Sequence, residues 1–149
     1  MPNIVRETPR TEQIPRPTSP PTPCEDCRAM TAFQTWQDVP LPPGWNIAVE
    51  FAKVVPQGKR GVIELVTASI SVPAGEWASL RMYTTLGGGP TSQIDLFLTF
   101  QGNSFGQSNY VVTHSLRAYT DNAIAFNINR DNGTTSGSAF ICVSGYIVG

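Results

Sequence analysis

Cys24-Glu25-Asp26-Cys27 has the spacing used by metal sites and thiol redox centres. A structural zinc site takes four ligands, and no second pair follows at ligand spacing. Cys142 and His114 lie far along the chain in apolar stretches, so neither is an obvious partner. A thioredoxin-like motif opens a helix after a strand, whereas this one follows Pro21-Thr22-Pro23. Three readings stay open: two plain thiols, a disulfide-capable pair that stiffens its segment, or a metal site. His114, the only histidine, shares a strand phase with Tyr110, Val112 and Leu116. That places it in a core or an interface, since no motif sets a Ser or Cys nucleophile beside it. Glu50, Glu64, Glu76, Asp95, Asp121 and Asp131 are scattered. Their spacing matches no calcium loop, and nothing marks two of them as a glycosidase pair. Asn132-Gly133-Thr134 fits a glycosylation sequon but reads as a turn. The expectation is therefore a protein that is not an enzyme and uses no cofactor.

The elements that carry these residues are strands. In 93–100, Ile94, Leu96, Leu98 and Phe100 alternate with Gln93, Asp95, Phe97 and Thr99. In an extended chain the apolar four share one face, which no helix would allow. The pattern repeats through most of the chain after Gly44. Residues 46–55 place Ile47, Val49 and Phe51 on one face, and 62–72 place Val66, Ala68, Ile70 and Val72. Ile63 and Leu65 fall on the opposite phase, so a bulge or two-sided burial is expected near Glu64. Further strands are read over 77–84, 110–119 and 123–130. The last, 138–148, is apolar on both phases and should be covered on both sides. Gly- and Pro-containing turns separate them. Seven to eight antiparallel strands at this spacing predict an all-β chain, a β-sandwich or jelly roll.

Proline and glycine divide the chain. Ten of 13 prolines precede Gly44, and all 13 glycines lie at or after it. Residues 1–43 read as an extended Pro-rich N-terminal arm and 44–149 as the β-sandwich domain. Prolines fix φ and remove donors, so 9–23 favours polyproline II. Fully extended at about 3.1 Å per residue, the arm would reach on the order of 130 Å. Its apolar anchors are Ile4, Ile14, Phe33, Trp36 and Leu41. Phe33 and Trp36 are three apart, which suits a short helical turn. These side chains either cover one end of their own domain or dock on a partner, where aromatic anchors carry much of the energy.

Net charge is −1 and only 14% of residues are charged, well below the roughly 25% of an average chain. In the arm, Arg6, Arg10, Arg16 and Arg28 are offset by Glu7, Glu12, Glu25 and Asp26. A neutral arm cannot drive nucleic-acid binding by counterion release, so a protein contact is expected. No apolar run approaches the roughly 20 residues of a membrane span. Met1 to Glu7 contain no apolar signal core, and an odd cysteine count argues against a disulfide framework. Synthesis in a reducing cytoplasm is expected.

A Pro-rich arm before a β-sandwich with an apolar final strand resembles the small virion proteins of tailed bacteriophages, capsid decoration (cement) proteins among them. Ile70-Ser71-Val72-Pro73-Ala74-Gly75 and Val143-Ser144-Gly145-Tyr146-Ile147-Val148 are similar to phrases of such domains. The resemblance implies a symmetric oligomer, commonly a trimer, on the virion capsid surface, bound to the major capsid protein and to copies of itself. Phe140, Ile141, Val143, Tyr146 and Ile147 would form its oligomer interface. The alternative is a receptor- or carbohydrate-binding module such as a fibre head, with Trp77, Tyr83 and Phe105 as an aromatic platform.

Overall fold

The structure is a computed structural model that describes residues 30–44, 46–51, 54–88, 91–131 and 135–149. These form nine strands: β1 (Thr31–Leu41), β2 (Asn46–Phe51), β3 (Arg60–Pro73), β4 (Ala78–Thr84), β5 (Ser92–Leu96), β6 (Thr99–Ser104), β7 (Gln107–Thr120), β8 (Ile124–Arg130) and β9 (Gly137–Val148). One sheet has the order β1-β9-β3-β7-β6 and the other β2-β8-β4-β5. All the pairings are antiparallel. Strands β1, β2, β3 and β4 pair in turn with β9, β8, β7 and β5. This is an antiparallel ribbon rolled into a two-sheet sandwich, the jelly-roll arrangement, with β6 added at one edge.

The alternation read from sequence fills the space between the sheets. Val66, Ile70, Val72, Ile141 and Val143 from one sheet meet Leu80, Met82, Ile124, Phe126 and Ile128 from the other. The Phe51 and Phe126 rings pack edge to face at 5.4 Å, a geometry that adds to area burial. Strand β3 changes phase where the sequence predicts it. Its register with β7 and β9 shifts between Ile63 and Leu65, so Ile63 and Val66 both face the core. Opposite the shift, Gly145 lies against the Val62 carbonyl so closely that an added Cβ would clash with it.

Four expectations are corrected. Residues 93–100 are not one strand: the chain leaves the four-stranded sheet after Leu96 and joins the five-stranded sheet at Thr99. The step at Phe97-Leu98 turns a corner, and periodicity alone cannot distinguish it from a straight strand. The second half of the expected arm is part of the sandwich, because Thr31–Leu41 is edge strand β1, paired with β9 over its whole length. No helical turn forms at Phe33 and Trp36, since pairing puts them on opposite faces. Leu41 is fully buried and Phe33 packs on the core, so neither is an arm anchor for a partner. Burying a Leu side chain contributes about 1.5–3 kcal/mol, and the domain's own core takes that gain. Ile4 and Ile14 lie outside the described residues.

One end of the sandwich is tied by Arg130 at the close of β8. Its Nε donates to the Gly44 carbonyl at 2.9 Å, and its Nη2 donates to those of Pro42 at 2.8 Å and Thr135 at 2.6 Å. Its Nη1 lies 3.7 Å from Glu76 Oε2, and both side chains are buried. The pair fastens the β1–β2 connection and the turn before β4 to the end of β8.

Candidate functional site

The structure does not bring the ionisable residues singled out above together. His114 is half-buried on the inward phase of β7, opposite Val66. Cys142 lies on the outer face, where its Sγ accepts from Gln34 Nε2 at 3.3 Å. Asp95 is held by Arg81 Nε at 2.6 Å across β4 and β5, and this hydrogen bond raises the Arg81 pKa. Asp131 accepts from the Trp77 amide at 3.2 Å. Among the described residues, no group of three or more His, Cys, Asp or Glu could hold a metal. Cys24, Cys27 and the 132–134 sequon lie outside the described residues.

The proposed interface of the last strand divides in two. Ile141 and Val143 are fully buried within one chain, which corrects their assignment to an oligomer contact. Strand β9 lies between β1 and β3, so its inward side chains belong to the core. Phe140 faces outward. Tyr146 accepts from Arg117 Nη2 at 3.3 Å, and Ile147 is half-buried opposite Thr31 and Gly61. The Arg117 pKa is raised, first by its charge interaction with Tyr119 and then by the Tyr146 hydrogen bond.

Exposed aromatic side chains form two surfaces. The first includes the β6–β7 hairpin. Ser104 pairs with Gln107, leaving Phe105-Gly106 as a two-residue loop with φ of 50° and 74°. Positive φ at both central residues is the requirement of a type I′ turn, which Asn-Gly meets with least strain. Phe105 is the only non-glycine with positive φ among the described residues, and its side chain is 104% exposed. The hairpin beneath is stapled by its own polar groups. Ser108 Oγ donates to Asn103 Oδ1 at 2.9 Å, and Asn109 Nδ2 donates to Ser104 Oγ at 2.8 Å. Ser71 Oγ donates to Asn109 Oδ1 at 2.8 Å. The Ala74 amide donates to the Gly106 carbonyl at 2.9 Å, joining the hairpin to the turn before Trp77.

Two more exposed rings lie toward this hairpin, Trp77 and Phe100, which tilts against Tyr110 at 5.4 Å, while Phe97, at 81% exposure, lies at the other end of β6. The Tyr110 hydroxyl donates to the Glu76 carbonyl at 2.9 Å, which fixes the turn carrying Trp77. Phe97 shares a groove of about 310 Å³ with Ala78, Ser79, Arg81 and Asp95. No Asp, Glu, Lys or Arg occurs between Asp95 and Arg117, so the β6–β7 hairpin is uncharged, whereas the Phe97 groove holds the Arg81–Asp95 pair. Tyr83 is not part of it. It lies on β4 between Gln93 and Ala125, six residues and about 20 Å from Trp77. Sequence reasoning missed Phe97 and Phe100 because their positions depend on the corner at Phe97-Leu98. The signal available was Phe97 on the otherwise polar phase of its strand, whereas Phe100 stood on the apolar phase and gave none.

The second surface is the outer face of the five-stranded sheet. Trp36 and Phe140 stack there with centroids 5.9 Å apart and planes 26° off parallel, and Trp36 remains 62% exposed. Beside them is a groove of about 350 Å³ lined by Asp38, Pro40, Ser69, Ser71, Ser138 and Phe140. No protein-family model and no curated protein sequence matches the chain.

Proposed function

We propose that this protein is a structural binding module of an assembled particle, in its specific form a decoration protein that binds and stabilises a bacteriophage capsid. The observation that carries the reading is Phe105: a fully exposed aromatic residue in left-handed backbone, on a hairpin whose polar side chains are bonded to one another. Backbone strain at a solvated tip does not improve folding, and such strain clusters where a chain makes contacts. A rigid, uncharged aromatic knob suits an apolar pocket on a protein surface, where a few buried rings dominate affinity. Jelly rolls serve as both capsid and lectin domains, so the fold accommodates the role without assigning it. The Pro-rich sequence before β1 supplies a second point of attachment, and two linked contacts bind far more tightly than either alone.

Co-sedimentation of the full-length chain with capsids tests the reading. Wild-type protein is expected to bind and Phe105→Asn to lose at least about tenfold in affinity, the effect of leaving one aromatic ring unburied. Equal retention of the variant would remove the rim from the contact. Light scattering after size exclusion reads the oligomer, and a trimer is the expected state.

The second reading, recognition of a glycan or receptor, draws on the exposed rings of Phe100 and Phe105 and on the exposed Gln101 next to Phe100 in the chain. Amides and aromatic faces without charge suit neutral sugars. Glycan binding abolished by Phe105→Asn, with no capsid binding by wild type, would select it.

A further inference from the structure

The groove beside the Trp36–Phe140 stack has a specific chemistry. One wall is aromatic. Its floor carries the hydroxyls of Ser69 and Ser138, that of Ser71 being donated to Asn109, and Asp38 lines it too. Asp38 is exposed and makes no salt bridge with any described residue. Across the sheet, Asp38, Phe140, Ser69, Val111 and Thr99 stand side by side in register. Aromatic side chains flanked by hydroxyl donors and an acidic group are what polyproline II segments dock on. The prolines lie on the rings, backbone carbonyls accept from the donors, and a basic residue meets the acid.

The same chain contains such a segment. Arg16-Pro17-Thr18-Ser19-Pro20-Pro21-Thr22-Pro23 repeats the Pro-x-x-Pro spacing twice, at 17 and 20 and at 20 and 23, with an arginine directly before it. We propose that residues 16–23 dock on the outer face of their own five-stranded sheet, with prolines against Trp36 and Phe140 and Arg16 beside Asp38.

Chain length permits it. Trp36 is five residues beyond Thr31 and Asp38 is seven, about 17 Å and 23 Å along β1. Pro23 precedes Thr31 by eight residues and Arg16 by fifteen, about 25 Å and 46 Å in polyproline geometry. The segment can therefore run back along β1 with slack in 24–30. A short tether also gives the contact a high effective concentration, so a weak site is filled. The contact lies within one chain and needs no particle. It covers the exposed Trp36 ring.

Fluorine NMR of the full-length chain labelled with 5-fluorotryptophan tests this, with the Trp36 signal assigned by Trp36→Phe. Arg16→Glu is expected to shift the Trp36 resonance toward the exposed state and lower the docked-to-free ratio by on the order of threefold, as for an exposed ion pair. Pro17→Ala with Pro20→Ala should lower it further. Combining Arg16→Glu with Asp38→Arg should restore it, which a general loosening of the arm would not do. A Trp36 signal indifferent to all of these changes overturns the proposal. Protection that appears only with rising concentration, alongside a dimer mass, also overturns it by assigning the segment to a second copy.

Discussion

Replacing Phe105 by Asn should stabilise the fold and weaken binding together. The ring is fully exposed, so its removal uncovers no apolar surface of the folded chain. What changes is the backbone. An L-residue in left-handed geometry costs about 1–2 kcal/mol, a penalty that Asn largely escapes through local hydrogen bonding. With Gly106 already at φ 74°, the variant completes an Asn-Gly loop, the best-suited pair for this turn. The net gain is about 1 kcal/mol, or roughly 3–6 °C in Tm for a domain of this size. Urea denaturation should show a higher midpoint with an unchanged slope, because the surface exposed on unfolding is nearly the same. Binding to the particle should fall by about ten- to a hundredfold, the worth of burying a Phe side chain in a pocket. A destabilisation of about 1 kcal/mol or more would mean that the ring packs on the fold, and the argument from strain would fail.

Arg130→Met removes three hydrogen bonds to carbonyls and leaves Glu76 buried beside an apolar side chain. The expected loss is about 3–5 kcal/mol by chemical denaturation, partly recovered when Glu76→Gln is added. Gly145→Ala drives a methyl group into the Val62 carbonyl and should cost about 3 kcal/mol or more; a wild-type urea midpoint would show that β3 and β9 separate freely there. A chain beginning at residue 30 should fold, as judged by circular dichroism. One beginning at residue 44 should not, because it lacks β1, the buried side chains of Val39 and Leu41, and the strand that covers β9.

The all-β class, most strand positions and the phase change near Glu64 follow from sequence by itself. Alternation with period two is a local property: it records which side chains must leave water, and each strand carries its own record. The Ile63/Leu65 shift was legible for the same reason, as two apolar residues out of phase with their neighbours. Partner choice among strands is not local. Nothing in 31–41 marks it as the edge neighbour of β9, a hundred residues away, and Pro40 near its end matches the proline-rich segment before it. Only closure of the ribbon decided that Leu41, Ile141 and Val143 complete a core, while Trp36 and Phe140, on the opposite phase of the same strands, stack in solvent. The aromatic rim is likewise tertiary. Trp77, Phe100 and Phe105 come together because a hydrogen-bonded hairpin holds its tip beside the turn before β4, while the corner between the sheets leaves Phe97 at the other end of β6. Each residue's type was fixed in the sequence, but which rings became neighbours depended on how two sheets enclosed a single core.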